Sequence, residues 1–244
     1  MSLAAHARRP WWYAMPRTLI GVKEVAASLH VSTREVVRMA ERGILPGSRV
    51  RGVWRFRAGE IWNWIEANLE SLPARREKDK HPEAPAGLLI TPALKECAVA
   101  VGLVAKTKSS VLRALVDLAE HADPTLDGPA LVEALQEREA QGSTALQDGV
   151  AVPHPSRPFY SEGPVLAAAR TSQGVVFGER RGGLTDLFFL ICSPDQVSHL
   201  LLLGRLCRLM LDPKLQQALR AAPTPATFVD AIREAEESLE QNAA

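Results

Sequence analysis

Arg138-Glu139-Ala140-Gln141-Gly142-Ser143-Thr144-Ala145-Leu146-Gln147-Asp148-Gly149-Val150-Ala151-Val152-Pro153-His154 is the stretch that decides how this 244-residue chain is read. Val150-Ala151-Val152 has the β-branched, apolar composition of a short buried strand. Pro153 ends it, because proline has no N–H to give to a sheet ladder. His154 therefore falls where the strand hands over to a loop, a common place for a reactive group. A neutral imidazole there can act as a nucleophile and carry a covalent intermediate.

Outward from this point, strand and helix patterns alternate. Glu96 to Leu103, Val165 to Arg170 and Leu184 to Cys192 read as strands, the last of them buried. Lys108 to Ala122 and Gly128 to Arg138 read as amphipathic helices, the second introduced by Asp127. Further helices are expected at about Asp195–Leu211, Pro213–Ala222 and Ala226–Glu237. This alternation predicts an α/β fold, a sheet covered by helices.

The His154 stretch resembles the phosphorylation motif of the enzyme IIA domains of the bacterial phosphotransferase system, of the fructose, mannitol and nitrogen-regulatory type. The resemblance is carried by Arg138-Glu139, Ser143-Thr144, Gly149 and Ala151-Val152-Pro153-His154. A weaker element is His199-Leu200, which follows Asp195-Gln196 and opens a helix. The resemblance covers about Leu88 to Glu237 and implies a mixed sheet. It implies that His154 accepts a phosphoryl group from an HPr-type phosphocarrier, that Arg138 and His199 line the site, and that Ser143, Thr144 and Arg157 belong to it. Two departures stand out. Pro155 follows the active histidine where the family has Gly or Ala, and His199-Leu200-Leu201 replaces a His-Leu-His run.

The front of the chain has its own pattern. Val22, Val25, Ala26 and Leu29 recur at helical spacing. Ser32-Thr33-Arg34-Glu35 is a capping box that opens a second helix. On that helix Val36, Met39 and Ala40 face inward, and Arg34, Arg38 and Arg42 recur every four residues on another face. Gly43 stops it and Pro46 prevents continuation. Ser48 to Arg57 then interleaves Arg49, Arg51, Arg55 and Arg57 with Val50, Trp54 and Phe56, and Gly52 supplies a hairpin turn. A third helix, about Gly59 to Leu69, closes the unit with Ile61, Trp62, Ile65 and Leu69. Two short helices, the second basic, followed by a basic ribbon define a winged helix-turn-helix. Thr18 to Leu69 resembles the MerR and excisionase group, in which the second helix enters the major groove. Thr33, Arg34 and Arg38 are the candidates for base edges. Arg49, Arg51, Arg55 and Arg57 are the candidates for phosphates.

Charge supports the division. Residues 1–80 hold 15 Lys and Arg against 8 Asp and Glu, whereas the remainder holds 14 against 20, so a net +7 is joined to a net −6. This is the layout of a nucleic-acid module attached to something else. The expected organisation is an arm (1–17), a winged helix-turn-helix domain (18–70), a Pro-containing charged linker (71–87) and an enzyme IIA-like domain (88–240). Trp11-Trp12-Tyr13 in the arm has no assigned role. Cys97, Cys192 and Cys207 are odd in number and unpatterned, as reduced thiols are. No metal or cofactor is called for. The apolar runs fall well short of the ~18 residues a membrane span needs, and Met1 to Arg17 lacks the apolar region of a signal peptide.

The expectation is a cytoplasmic DNA-binding regulator with a phosphoaccepting domain, a phosphocarrier and not a turnover enzyme. Its partners would be an HPr-type phosphocarrier and duplex DNA, and a homodimer is compatible with this. Two alternatives stay open: a plain sugar-transport enzyme IIA component with a docking domain, and a DNA-binding protein whose back domain has lost phosphorylation and serves dimerisation. The charge asymmetry suggests that added phosphate draws the acidic half onto the arginines of the basic half.

Overall fold

The computed structural model describes residues 19–29, 31–68, 89–159, 161–178 and 183–241. Trp11-Trp12-Tyr13, Leu69 and the linker 71–87 lie outside these residues.

In the front half, strand β1 (Leu19–Ile20) leads into α1 (Val22–Leu29) and α2 (Thr33–Glu41). Ser32 Oγ accepts the Glu35 N–H at 3.0 Å, the first half of the capping box. The Glu35 carboxylate turns to Arg38, 2.7 Å away, instead of back to the cap. The helix stops as expected. Gly43 N–H donates to the Ala40 carbonyl and Ile44 N–H to that of Met39, the paired bonds of a Schellman motif. Strands β2 (Ser48–Val50) and β3 (Val53–Arg57) pair antiparallel across a turn at Arg51-Gly52. Both turn residues have positive φ, 51° and 81°, which is the type I′ geometry that matches strand twist. Gly52 adopts it freely, whereas Arg51 holds it against its own Cβ and stands at the tip of the ribbon. β1 adds to the other edge of β3, giving the order β1-β3-β2. α3 (Ala58–Asn68) closes the unit over Phe56, Ile61 and Ile65, all fully buried.

The back half runs α4 (Ile90–Ala93), β4 (Leu94–Leu103), α5 (Lys108–Ala122), α6 (Gly128–Gln141), β5 (Val150–Ala151), β6 (Val165–Val175), β7 (Thr185–Cys192), α7 (Gln196–Leu209), α8 (Pro213–Ala221) and α9 (Pro225–Gln241). The sheet order is β4-β6-β7-β5. β4 is parallel to β6, β6 antiparallel to β7, and β5 parallel to β7, so the expected mixed sheet is present. β7 is buried on both faces, which is why Leu187-Phe188-Phe189-Leu190-Ile191-Cys192 is a continuous apolar run. Phe188 and Leu190 pack with Leu112, Leu115, Leu131 and Leu135 of α5 and α6. The alternate residues Leu187, Phe189 and Ile191 join the cluster of Leu206, Phe228 and Ile232 on the opposite face.

That second cluster continues into the front half through Val25, Ala26, Ile61 and Ile65. α1 and α3 pack against α7. The basic half is therefore seated on the acidic half by apolar helix faces, while Arg34, Arg38, Arg49, Arg51, Arg55 and Arg57 stay exposed. The contact between the halves is apolar and leaves these arginines outside it. Apolar area drives association where exposed charges contribute little.

Candidate functional site

β5 and β7 are parallel neighbours, and a chemical group follows each of them. His154 leaves β5 after Val152-Pro153, and His199 lies in the first turn of α7, after β7. In α/β sheets the carboxyl ends of adjacent parallel strands are where groups converge. The two rings meet there, with centroids 5.4 Å apart and planes at 65°. His154 is 2% exposed and His199 3%.

The approach to His154 is held at several points. Asp148 and Gly149 both have positive φ, 58° and 77°. A side chain on Gly149 would also meet Asp186 Oδ1 at 2.9 Å and Arg220 Nη2 at 3.0 Å. Arg220 clamps this turn, bonding the Asp148 carbonyl and pairing with Asp186 at 2.8 Å. The glycine of the motif is thus fixed by backbone geometry and by space together. Beyond it, Val152 N–H donates to the Thr144 carbonyl at 3.0 Å and Ile191 N–H to that of Pro153 at 3.1 Å. His154 Nδ1 lies 2.7 Å from the Val152 carbonyl. A carbonyl oxygen only accepts, so in the neutral ring Nδ1 carries the proton and the lone pair sits on the buried Nε2.

Arg138 is 5% exposed at the end of α6 and donates from Nη1 to the Gly142 carbonyl at 2.8 Å. Burial, then the neighbouring His154 and the Arg138 cation, hold His199 well below the ordinary imidazole range, so it is neutral at pH 7. Asp195 caps α7, accepting the Ser198 N–H at 2.9 Å.

The structure thus brings His154, His199 and Arg138 together. Thr144 is buried and gives both its N–H (2.8 Å) and its hydroxyl to Glu139. Ser143 is exposed, donates to the Phe177 carbonyl at 3.2 Å and accepts the Ala145 N–H at 3.1 Å. Arg157 is exposed on the loop beyond His154. Two further side chains hold this loop: Glu139, which the sequence reading named only as half of the Arg138-Glu139 element, and Lys108, which it did not single out. Glu139 is nearly buried and pairs with Lys108 at 2.8 Å, and Lys108 Nζ also lies 4.8 Å from the Phe177 ring centroid. Glu139 was visible in the sequence as part of the Arg138-Glu139 element, whereas Lys108 carries no local signal.

On the front half Thr33 and the candidate arginines are all exposed. Arg38, Arg49 and Arg57 pair with Glu35, Glu41 and Glu60 at 2.7, 2.8 and 2.9 Å. Arg49 lies over the Trp54 ring at 5.3 Å.

A mixed sheet with a buried His–His–Arg cluster, joined to a helix-turn-helix, defines a two-part protein of enzyme IIA architecture. A family model for the phosphoenolpyruvate-dependent sugar phosphotransferase system, EIIA 2, matches residues 93–235, and one for a helix-turn-helix domain matches residues 19–69. The chain belongs to the EIIA 2 family. Among similar proteins is the fructose-specific EIIA component of Haloferax volcanii, 30% identical over 52% of this chain and 84% of that protein. Another is the nitrogen regulatory protein of Pseudomonas aeruginosa, 30% identical over 48% and 77%. The fructose-specific EIIABC component of Bacillus subtilis is 28% identical, and this chain spans 23% of its length. The crystal structure of nitrogen regulatory protein IIA-Ntr from Neisseria meningitidis shares the fold, with a TM-score of 0.53 at 22% identity over 59% of this chain and 98% of that one. Among the described residues no helix is long and apolar enough to cross a membrane.

Proposed function

We propose that this chain is a cytoplasmic DNA-binding regulator whose back domain accepts a phosphoryl group on Nε2 of His154. The observation that carries the reading is the Nδ1–Val152 carbonyl contact at 2.7 Å, made beside the Arg138 cation and the neutral His199. Fixing the proton on Nδ1 leaves Nε2 as the nucleophile without a base to activate it. An HPr-type phosphocarrier supplies the group as a phosphohistidine. The Nε2 lone pair forms the new N–P bond as the donor's N–P bond breaks, and the electron pair returns to the donor ring. Positioning and charge stabilisation do the rest. Arg138 balances the equatorial oxygens, His199 donates a hydrogen bond to one of them, and Arg157 meets the incoming carrier. The exposed residues of α2 and the β2–β3 ribbon support duplex DNA as the second partner.

The 2% exposure of His154 favours one other reading, a back domain that no longer takes phosphate. Incubation with phosphoenolpyruvate, enzyme I and HPr, followed by mapping of phosphohistidine, separates the two. Phosphate on His154 that is lost in His154→Ala supports the proposal. Phosphate retained by that variant on His199 overturns the assignment, and no phosphate on the wild-type chain leaves the inactive reading.

A further inference from the structure

α7 belongs to the site and to the domain interface at once. Its first turn holds His199 against His154. Its apolar residues Leu200, Leu202, Leu203, Leu206 and Leu209 are all buried. A helix buried over so wide an arc needs cover on more than one side. β7 covers α7 on the sheet side, and α1 and α3 of the helix-turn-helix domain also pack on it. At Gly204 the approach is closest. A Cβ there would stand 2.1 Å from the Ser28 carbonyl oxygen of α1, so the backbones of the two helices touch where no other residue fits. The next residue, Arg205, pairs with Glu236 of α9 at 2.6 Å, with both side chains nearly buried.

The acceptor ring is closed to solvent, with His154 2% exposed. Nε2 of His154 is buried, and the His199 ring stands 5.4 Å from the His154 ring. Phosphorylation adds a phosphorus and three oxygens, with about −1.5 to −2 charges. Close packing means that such a volume displaces a neighbour. The first turn of α7 is one such neighbour, and its N-terminal N–H groups also attract the added charge. Displacing that turn disturbs the helix on which α1 is seated. α1 in turn shares its core with α2, through Val25, Ala26 and Val36.

We propose, on the reading that His154 is phosphorylated and the front domain binds DNA, that α7 couples the two. The phosphoryl group at one end of α7 shifts the seating of the helix-turn-helix domain along it and thereby changes DNA affinity. The DNA-facing residues are exposed in the seated arrangement, so the control acts on orientation and not by covering the arginines. Coupling of this kind is reciprocal, so DNA must change the phosphorylation equilibrium by the same factor.

The test uses the full chain and a labelled duplex selected from random sequence by the unphosphorylated protein. Phosphorylation is expected to change its Kd by ~5–150-fold, the usual range of coupling. The same duplex at saturation should shift the equilibrium of phosphate between HPr and His154 by an equal factor. Gly204→Ser, which wedges α1 away from α7, should still take phosphate on His154 and still bind DNA, with the ratio of affinities collapsing towards one. The reciprocity measurement needs no variant, so a Gly204→Ser protein that fails to fold does not protect the proposal. Equal affinities for the two wild-type forms, or an undiminished ratio in a folded Gly204→Ser protein, would overturn the coupling while leaving phosphorylation and DNA binding intact. Absence of phosphate or of DNA binding would instead overturn the reading on which it rests.

Discussion

His154 and His199 face each other at 5.4 Å because β5 and β7 run parallel and side by side. Burial first, then the neighbouring His154 and the Arg138 cation, keep His199 neutral when folded, and that has a consequence for acid stability. Its folded pKa lies well below 6.5, so between the two values the unfolded chain binds more protons. Stability is then complete above about pH 6.5 and declines as pH falls below it, by up to about 1.4 kcal/mol per pH unit for one group. Urea titrations from pH 7.5 to 5 are expected to show this slope, and His199→Gln should flatten it. An unchanged slope in the variant would assign the loss to other groups.

Glu139 holds the loop that leads to His154. Its carboxylate receives Thr144 N–H, the Thr144 hydroxyl and Lys108. Glu139→Ala leaves buried donors without partners and should cost about 1–3 kcal/mol. Hydrogen exchange should accelerate at Thr144 and Val152. Wild-type protection of both amides in the variant would show that the loop is held by other means.

Glu236 anchors the chain as it enters the back domain. It accepts Ile90 N–H at 2.7 Å and Thr91 N–H at 2.9 Å and pairs with Arg205 at 2.6 Å. Removing one partner of a buried pair strands the other, so Glu236→Ala is expected to lower stability by about 3–5 kcal/mol. A denaturation midpoint close to that of the wild type would contradict this.

The thiols differ in access. Cys97 is exposed, while Cys192 and Cys207 are buried. Burial first, then the Asp123 charge, push the Cys192 thiol up to about 12, against a lowering by Ser161. In the native protein at pH 8 one thiol should react with a maleimide, and peptide mapping should place it at Cys97. Rapid labelling of Cys192 would mean that the sheet opens far more readily than its packing implies.

DNA affinity should fall steeply with salt. Arg55 and Arg57 are exposed, and the surface pair of Arg57 with Glu60 holds it by only about 0–1 kcal/mol. Replacing both by Gln in the full chain should reduce the slope of log K against log salt by about two at most. A slope that does not change would remove them from the phosphate contacts.

Periodicity and cap chemistry were enough to place most elements. Lys108 to Ala122 and Asp127 before α6 are local signals read by local physics, and so are the Gly43 stop and the Arg51-Gly52 turn. The motif around His154 likewise revealed the strand end and the glycine turn. Pairing across distance left no such trace. β1 is only Leu19–Ile20, too short to show alternation, and exists because β3 has a free edge. Lys108 reaches Glu139, and Arg220 reaches Asp186, only once the sheet has formed. The sequence marked α7 as a helix and left open what covers it. That the helix-turn-helix domain supplies part of the cover, with Ser28 against Gly204, was decided by tertiary packing alone, since burial of apolar area is non-directional and acts between segments whose separation in sequence it does not record.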